Sequence, residues 1–225
     1  MNVIITAGSP TLFHHLHSRS AKSAFLNNFG AMLETYNRHC QTKVLVLPLN
    51  LELGLQKDIL AVSQGWKYNF VGATQGSLAT ALLGLDFCDL KQSLLVGPAD
   101  SYVSDGYESL LSGWRQEEFS AMTCTIHGSD DSWSYVRKSA EGVVLEVAEK
   151  RRISSLATTG LFGFKNAQIF LELATWALEN RFTFENRYYL SGTLQALLVQ
   201  GGKSCALPLP TGITYEYFGV WEERS

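Results

Sequence analysis

Glu149, Lys150, Arg151 and Arg152 set one carboxylate beside three cations, within residues 141 to 164, EGVVLEVAEKRRISSLATTGLFGF. A carboxylate accepts hydrogen bonds from hydroxyls, and lysine and arginine hold phosphate oxygens, so the cluster suits a ligand carrying both. A solvated charged turn is the competing reading of the same run. Asp100 stands just past the apolar run Leu94 to Val96. An acid there can bind a divalent cation through oxygen, and the cation can bridge nucleotide phosphates. Alternatively it is a turn aspartate bonding its own backbone, a reading that weighs more for Asp105 because Gly106 follows it. Thr74, Gln75 and Gly76 open an apolar segment. Backbone N–H groups at such a start can meet a base or phosphate, with Gly76 permitting close approach, or they are simply capped.

The loop from Ala7 to Lys22 carries His14, His15 and His17. Three histidines can bind a metal, but H-H-x-H is not a defined ligand spacing. Lys22 can reach a phosphate or sit solvated at a helix start. The loop matches neither the dinucleotide fingerprint nor the P-loop. No serine lies in a G-x-S-x-G elbow and no cysteine has a catalytic context, so acyl transfer is unsupported.

The elements that must position these residues alternate along the first 126 positions. Strands are expected at 3–6, 44–49, 69–72, 93–96 and 121–126, where apolar, β-branched runs end at turn residues. Helices are expected at 20–39, 51–64, 77–87 and 107–116; in the first, Phe25, Phe29, Met32, Leu33 and Tyr36 recur at three- and four-residue steps. Such alternation argues a mostly parallel sheet covered on both faces, with ligands at the carboxyl ends of its strands. Three loops then become candidates: residues 7–22, 72–76 and 97–105. Later segments are more antiparallel in character, with strands at 133–137, 143–148 and 159–164, helices at 166–180 and 188–200, and a last strand at 204–209. The expected fold is α/β, a three-layer α/β/α sandwich with a mostly parallel, Rossmann-like sheet and an antiparallel insertion. No linker or internal repeat interrupts the 225 residues, so one domain is expected.

Composition narrows the function classes. Hydrophobic residues make up 46% and charged residues only 17%, which predicts a sizeable core, and a net charge of −3 provides no basic field for nucleic acid. No apolar segment has transmembrane length, and the start, MNVIITAGSP, reads as a buried strand rather than a signal peptide. The cysteines Cys40, Cys88, Cys124 and Cys205 form no C-x-x-C pair, which favours free thiols in a reducing cytoplasm. The aromatic tail, Tyr215, Tyr217, Phe218 and Trp221, either covers a core edge, the favoured reading, or forms a contact between copies of the chain.

Four segments in this order, TQGSLATALLGLDF (74–87), LLVGPADSYVS (94–104), WSYVRKSAEGVVLEVAEKRRISSLATTGLFGFKNAQIFLE (133–172) and YYLSGTLQALLVQGGKSCALPLP (188–210), give the chain a family look. It resembles the sugar-1-phosphate nucleotidyltransferases, whose fold is that of the type-A glycosyltransferases. The third segment is the most specific: an E-K pair, then I-S, an A-T-x-G turn and a G-x-x-x-F strand. The resemblance implies that Asp100 binds Mg²⁺, that Glu149 contacts the sugar and that Lys150 contacts its phosphate. It implies that Gly160 lines the sugar pocket, that Trp133, Ser134 and Tyr135 touch the sugar, and that Gly76 lies near the base. Gly8 belongs to the loop that cradles the triphosphate, which Lys22 closes. That family loop reads G-x-G-x-R; here it reads Ala7, Gly8, Ser9, Pro10, Thr11, Leu12, Phe13, with Leu12 at the arginine position. A second metal aspartate has no clear counterpart; Tyr217 falls nearest, with Glu216 adjacent.

The resemblance thus implies an enzyme that makes a nucleotide sugar from a nucleoside triphosphate and a sugar 1-phosphate, for surface polysaccharide. The altered loop equally suits a catalytically inactive relative that binds a nucleotide sugar as a regulatory or scaffolding protein. A glycosyltransferase is the third reading, although Asp100-Ser101-Tyr102 supplies no D-x-D motif.

Overall fold

A computed structural model describes residues 1–7, 19–103 and 118–217, together with Phe13, Leu16 and Trp114. The elements follow in the order β1 (Asn2–Thr6), α1 (Arg19–His39), β2 (Thr42–Pro48), α2 (Leu53–Val62), β3 (Lys67–Val71), α3 (Ser77–Leu82), a single 3₁₀ turn, β4 (Leu94–Pro98) and β5 (Ser101–Val103). Then come β6 (Ala121–His127), β7 (Ser134–Lys138), β8 (Val144–Glu149), β9 (Leu156–Phe164), α4 (Ala167–Glu179), α5 (Ser191–Val199), β10 (Ser204–Pro208) and β11 (Tyr215–Tyr217). The first loop with Gly8, Leu12 and the three histidines, the helix expected at 107–116 apart from Trp114, and Asp105, Phe218 and Trp221 lie outside the described residues.

Alternation within β1 divides the molecule into layers. Successive strand side chains point to opposite faces. Val3 and Ile5 join one core with Leu45, Leu47 and Leu95, covered by α1 and α2 through Phe29, Met32, Leu33 and Ile59. Ile4 joins a second core with Val44, Val46 and Val96, covered by α3, α4 and α5 through Leu78, Phe170 and Leu194. Both cores are fully desolvated at these positions, which is why β1 can be apolar along its length.

The main sheet runs β10-β6-β9-β4-β1-β2-β3. β1 pairs in parallel with β2 and β4, β2 with β3, and β6 with β10. β9 alone on this path runs antiparallel, between β4 and β6. The β7–β8 hairpin extends from it through one pairing, Tyr135 with Ala157. The expected three-layer, mostly parallel architecture is therefore the observed one, with its antiparallel character in β7, β8 and β9.

Several boundaries differ from expectation. The 77–87 segment is a helix only to Leu82 and ends in a 3₁₀ turn, Leu85–Phe87. The last helix begins at Ser191 rather than 188. The tail contributes a strand: β11 pairs antiparallel with β5, Tyr217 opposite Ser101 and Tyr215 opposite Val103. Tyr215 packs against the core that α1 covers. The four cysteines stand apart as free thiols, and among the described residues no helix is long and apolar enough to cross a membrane.

Candidate functional site

Asp100 follows β4 directly, at the carboxyl end of the parallel strands, and is half-buried. Burial pushes its carboxyl up to about 6, against a smaller opposing pull from its own backbone. The β5–β11 pairing brings Tyr217 close: burial, then the charge of Asp100, raise the Tyr217 phenol. Glu216, the intervening residue, instead accepts from Asn28 Nδ2 of α1 at 3.4 Å. Strand alternation thus turns the aromatic residues of β11 and its acid in different directions.

Trp133 continues the wall. Its ring lies edge-on to Tyr215 and Tyr217, with centroids 5.8 and 5.7 Å away. The Tyr215 hydroxyl donates to the Thr159 carbonyl at 3.4 Å, next to Gly160. Gly160 sits in a bulge, where the β6–β9 register shifts between Thr123 and Thr125. Its φ of +82° suits glycine, and a Cβ there would lie 3.0 Å from Pro98 Cγ at the end of β4.

Glu149 ends β8, and the β7–β8 register sets Ser134 opposite it. The hydroxyls of Ser134 and Ser191 both donate to Glu149 Oε2, the latter at 2.7 Å. Burial raises the Glu149 carboxyl, outweighing the two hydrogen bonds and the Lys150 charge, which lower it. Lys150 turns through φ +46°, and its N–H donates to the Trp133 carbonyl at 3.0 Å. Its amine lies over two rings, 5.4 Å from Tyr189 and 5.9 Å from Phe184. Glu149 and Arg151 from β8 and its turn, with Phe184, Tyr189, Ser191 and Gln195 across from them, line a cleft of about 320 Å³. Arg152 is used structurally: its N–H donates to Asp131 Oδ1 at 2.9 Å and its guanidinium to the Ser129 carbonyl at 3.3 Å.

One connected arrangement therefore joins Asp100 to Tyr217, Trp133, Lys150 and Glu149, with Ser134 bonded to Glu149 and Gly160 next to the Thr159 carbonyl that Tyr215 bonds. Three expected site residues stand elsewhere. Tyr135 is wholly buried and its hydroxyl donates to the Asp130 carbonyl, so it anchors the 127–133 loop from the core. Lys22 pairs with Asp58 of α2 at 2.7 Å. Gly76 takes φ +105° against the backbone of Tyr188, whose carbonyl accepts the Leu78 N–H at 3.1 Å. That donor at the start of α3 is thus used internally. The residues that sequence reasoning missed are Phe184, Tyr189 and Ser191; Tyr217, which the resemblance set nearest the second metal position, feels the charge of Asp100. Only the turn signal of Glu185 and Asn186 could have drawn attention to the first two.

Among the described residues no cluster of three or more histidines, cysteines or acids could hold a metal. Mg²⁺ commonly uses one or two protein carboxylates and completes its shell with water and substrate phosphates. Asp100 fits a magnesium ion that arrives with a phosphate ligand.

No protein-family model matches the sequence, and no curated protein matches it. Solved structures do match in fold. A nucleoside-diphosphate-sugar pyrophosphorylase from Vibrio cholerae RC9 superposes with a TM-score of 0.72 at 18% identity, covering 98% of this chain and 96% of its own. The inositol-1-phosphate CTP transferase from T. maritima gives 0.70 at 15% identity, over 97% of this chain and 89% of its own. A Bacillus anthracis protein assigned as a glucose-1-phosphate thymidylyltransferase, in complex with sucrose, gives 0.68 at 16%, over 98% and 90%. The chain therefore has the fold of the sugar-1-phosphate nucleotidyltransferases along nearly its whole length.

Proposed function

We propose that this chain, acting as one nucleotidyltransferase-like domain, transfers a nucleotidyl group from a nucleoside triphosphate to a sugar 1-phosphate. The observation that carries the reading is the joining of Asp100 to Glu149 and Lys150 through Tyr217 and Trp133. An ionised oxygen of the sugar phosphate attacks the α-phosphorus in line, a P–O bond forms, the bond to the β-phosphate's bridging oxygen breaks, and pyrophosphate leaves with the electron pair. That oxygen is already ionised at neutral pH, so no side chain need take a proton from it. Catalysis is then positioning and charge stabilisation.

Glu149 accepts from sugar hydroxyls, held in place by Ser134 and Ser191. Lys150 offsets phosphate charge. Trp133 and Gly160 wall the sugar side; Gly76 is kept near the base by resemblance alone, since it packs on the Tyr188 backbone. Asp100 would hold Mg²⁺, which when bound would supply charge neutralisation for the phosphates. Gly8 keeps the triphosphate side by resemblance. Lys22 joins it only by leaving Asp58, and that half-exposed pair is weak. By the same resemblance the product serves surface polysaccharide synthesis, and the free cysteines favour a reducing cytoplasm.

The test is pyrophosphate release with Mg²⁺ across four nucleoside triphosphates and common sugar 1-phosphates. Release with one pair, lost by at least about a hundredfold in Asp100→Ala and Lys150→Ala, is expected. Silence from folded protein would sink the assignment. The loop sequence with Leu12 at the arginine position favours a second reading, a non-catalytic binder of nucleotide sugars. Calorimetric binding of a nucleotide sugar without pyrophosphate release would select it.

A further inference from the structure

The segment from Phe182 to Ser191 meets Glu149, Lys150 and the loop before α3. Phe184 and Arg187 exchange N–H···O bonds of 3.0 and 2.9 Å around Glu185 and Asn186, which take φ of +48° and +58°. That is a tight turn of the mirror-image type, and it fixes where the Phe184 ring stands. The Phe184 and Tyr189 rings meet edge to face, 6.5 Å apart, and the Lys150 amine lies within cation–π reach of both. Ser191 holds Glu149. Tyr188 donates to the Gln75 carbonyl at 2.7 Å, and the Leu190 N–H donates to Ser77 Oγ at 3.2 Å. One strap therefore binds Glu149, Lys150 and the loop before α3.

The kind of hold matters. The ion pairs among the described residues join Lys22 to Asp58 and Arg137 and Arg151 to Glu146; none involves Lys150, whose charge acts on the adjacent Glu149 without an ion pair. A carboxylate partner would neutralise the ammonium and compete with an incoming phosphate. A ring face fixes the ammonium by its quadrupole and leaves the net charge in place. Lys150 also has a left-handed backbone, which is costly for a side chain other than glycine and persists only where surroundings enforce it.

We infer that Phe184 and Tyr189 are positioning residues that hold the Lys150 ammonium, its charge intact, where a phosphate group can take it. The inference rests on the reading of Lys150 as a phosphate ligand.

The experiment uses the whole chain with its lysines ¹³C-methylated, which keeps their charge, and inorganic phosphate as the probe. The Lys150 methyl resonance is identified by its loss in Lys150→Arg. It is expected to be shifted by the ring currents in the wild type, and to move toward the value of a solvated lysine in Tyr189→Leu and in Phe184→Leu. Phosphate affinity is expected to fall about tenfold in both leucine variants, the upper part of the cation–π range, and to recover in Tyr189→Phe, which keeps the ring. A resonance that stays put in both leucine variants overturns the inference, as does one that moves while phosphate affinity is unchanged. A wild type that binds no phosphate removes the phosphate role of Lys150 and the inference with it. Pyrophosphate release, measured separately, reports whether nucleotidyl transfer fails as well.

Discussion

Asp100 carries a charge in a place that resists it. Its ordinary carboxyl value is 3.8 and burial moves it to about 6. Between roughly pH 4 and pH 6 the folded chain keeps a proton that the unfolded chain has released. The folded state is therefore not penalised below that window, loses stability as pH rises through it, and bears the full cost above it. At about 1.36 kcal/mol per tenfold change in proton affinity, that cost is at most ~3 kcal/mol, less because part of the side chain remains wet. Asp100→Asn should then be more stable than the wild type at pH 8 by about 1–3 kcal/mol in metal-free urea denaturation, with the difference vanishing near pH 4. The same variant should lose pyrophosphate release. Equal stability of the two proteins at pH 8 would mean that the carboxylate is better solvated than its setting implies.

At the scale of elements, Gly160 shows how a strand shapes a site. The bulge in β9 needs a left-handed residue where Pro98 ends β4. Gly160→Ala adds a strained φ and a 3.0 Å contact with Pro98 Cγ together. A loss of about 1–3 kcal/mol in stability is expected, with KM for the sugar phosphate raised more than that for the nucleotide. Denaturation and steady-state kinetics check both, and an alanine variant as stable as wild type would show that β9 can shed its bulge. The alternation of strands and helices could be read because β1 is a short, continuous apolar and β-branched run ending at turn residues, whereas apolar residues recur every three to four positions in α1. The E-K pair and Asp100 were legible as well, as charged residues at the ends of apolar runs. Trp133, Ser134 and Tyr135 were read together as site residues, but consecutive strand residues cannot all face one way: Ser134 reaches Glu149 while Tyr135 enters the core. Ser191 gave no local signal, because only tertiary packing brings it to Glu149. β5 and β11 are too short for any period to show.

At the scale of the molecule, the site is assembled from chain segments that the main sheet alone does not hold together. β11 pairs only with β5, outside the nine-stranded sheet, yet its two tyrosines meet Trp133, the bulge at Thr159 and the surroundings of Asp100. The tail is thus a clasp that pairs outside the main sheet and packs Tyr215 against the core that α1 covers. Aromatic pairs of this kind contribute about 0.5–1.5 kcal/mol each beyond their buried area. Removing two of them should open the site region locally, since stability differs between cooperative units of one structure. In Tyr215→Ala/Tyr217→Ala, amide exchange at Lys150, whose N–H bonds Trp133, and around Gly160 should quicken by about tenfold, the equivalent of 1.4 kcal/mol. Exchange in β1, β2 and β4 should stay as in the wild type. If those central strands quicken to the same degree, the clasp belongs to the global fold, and the ordering of the site cannot be tuned from the tail without unfolding the sheet.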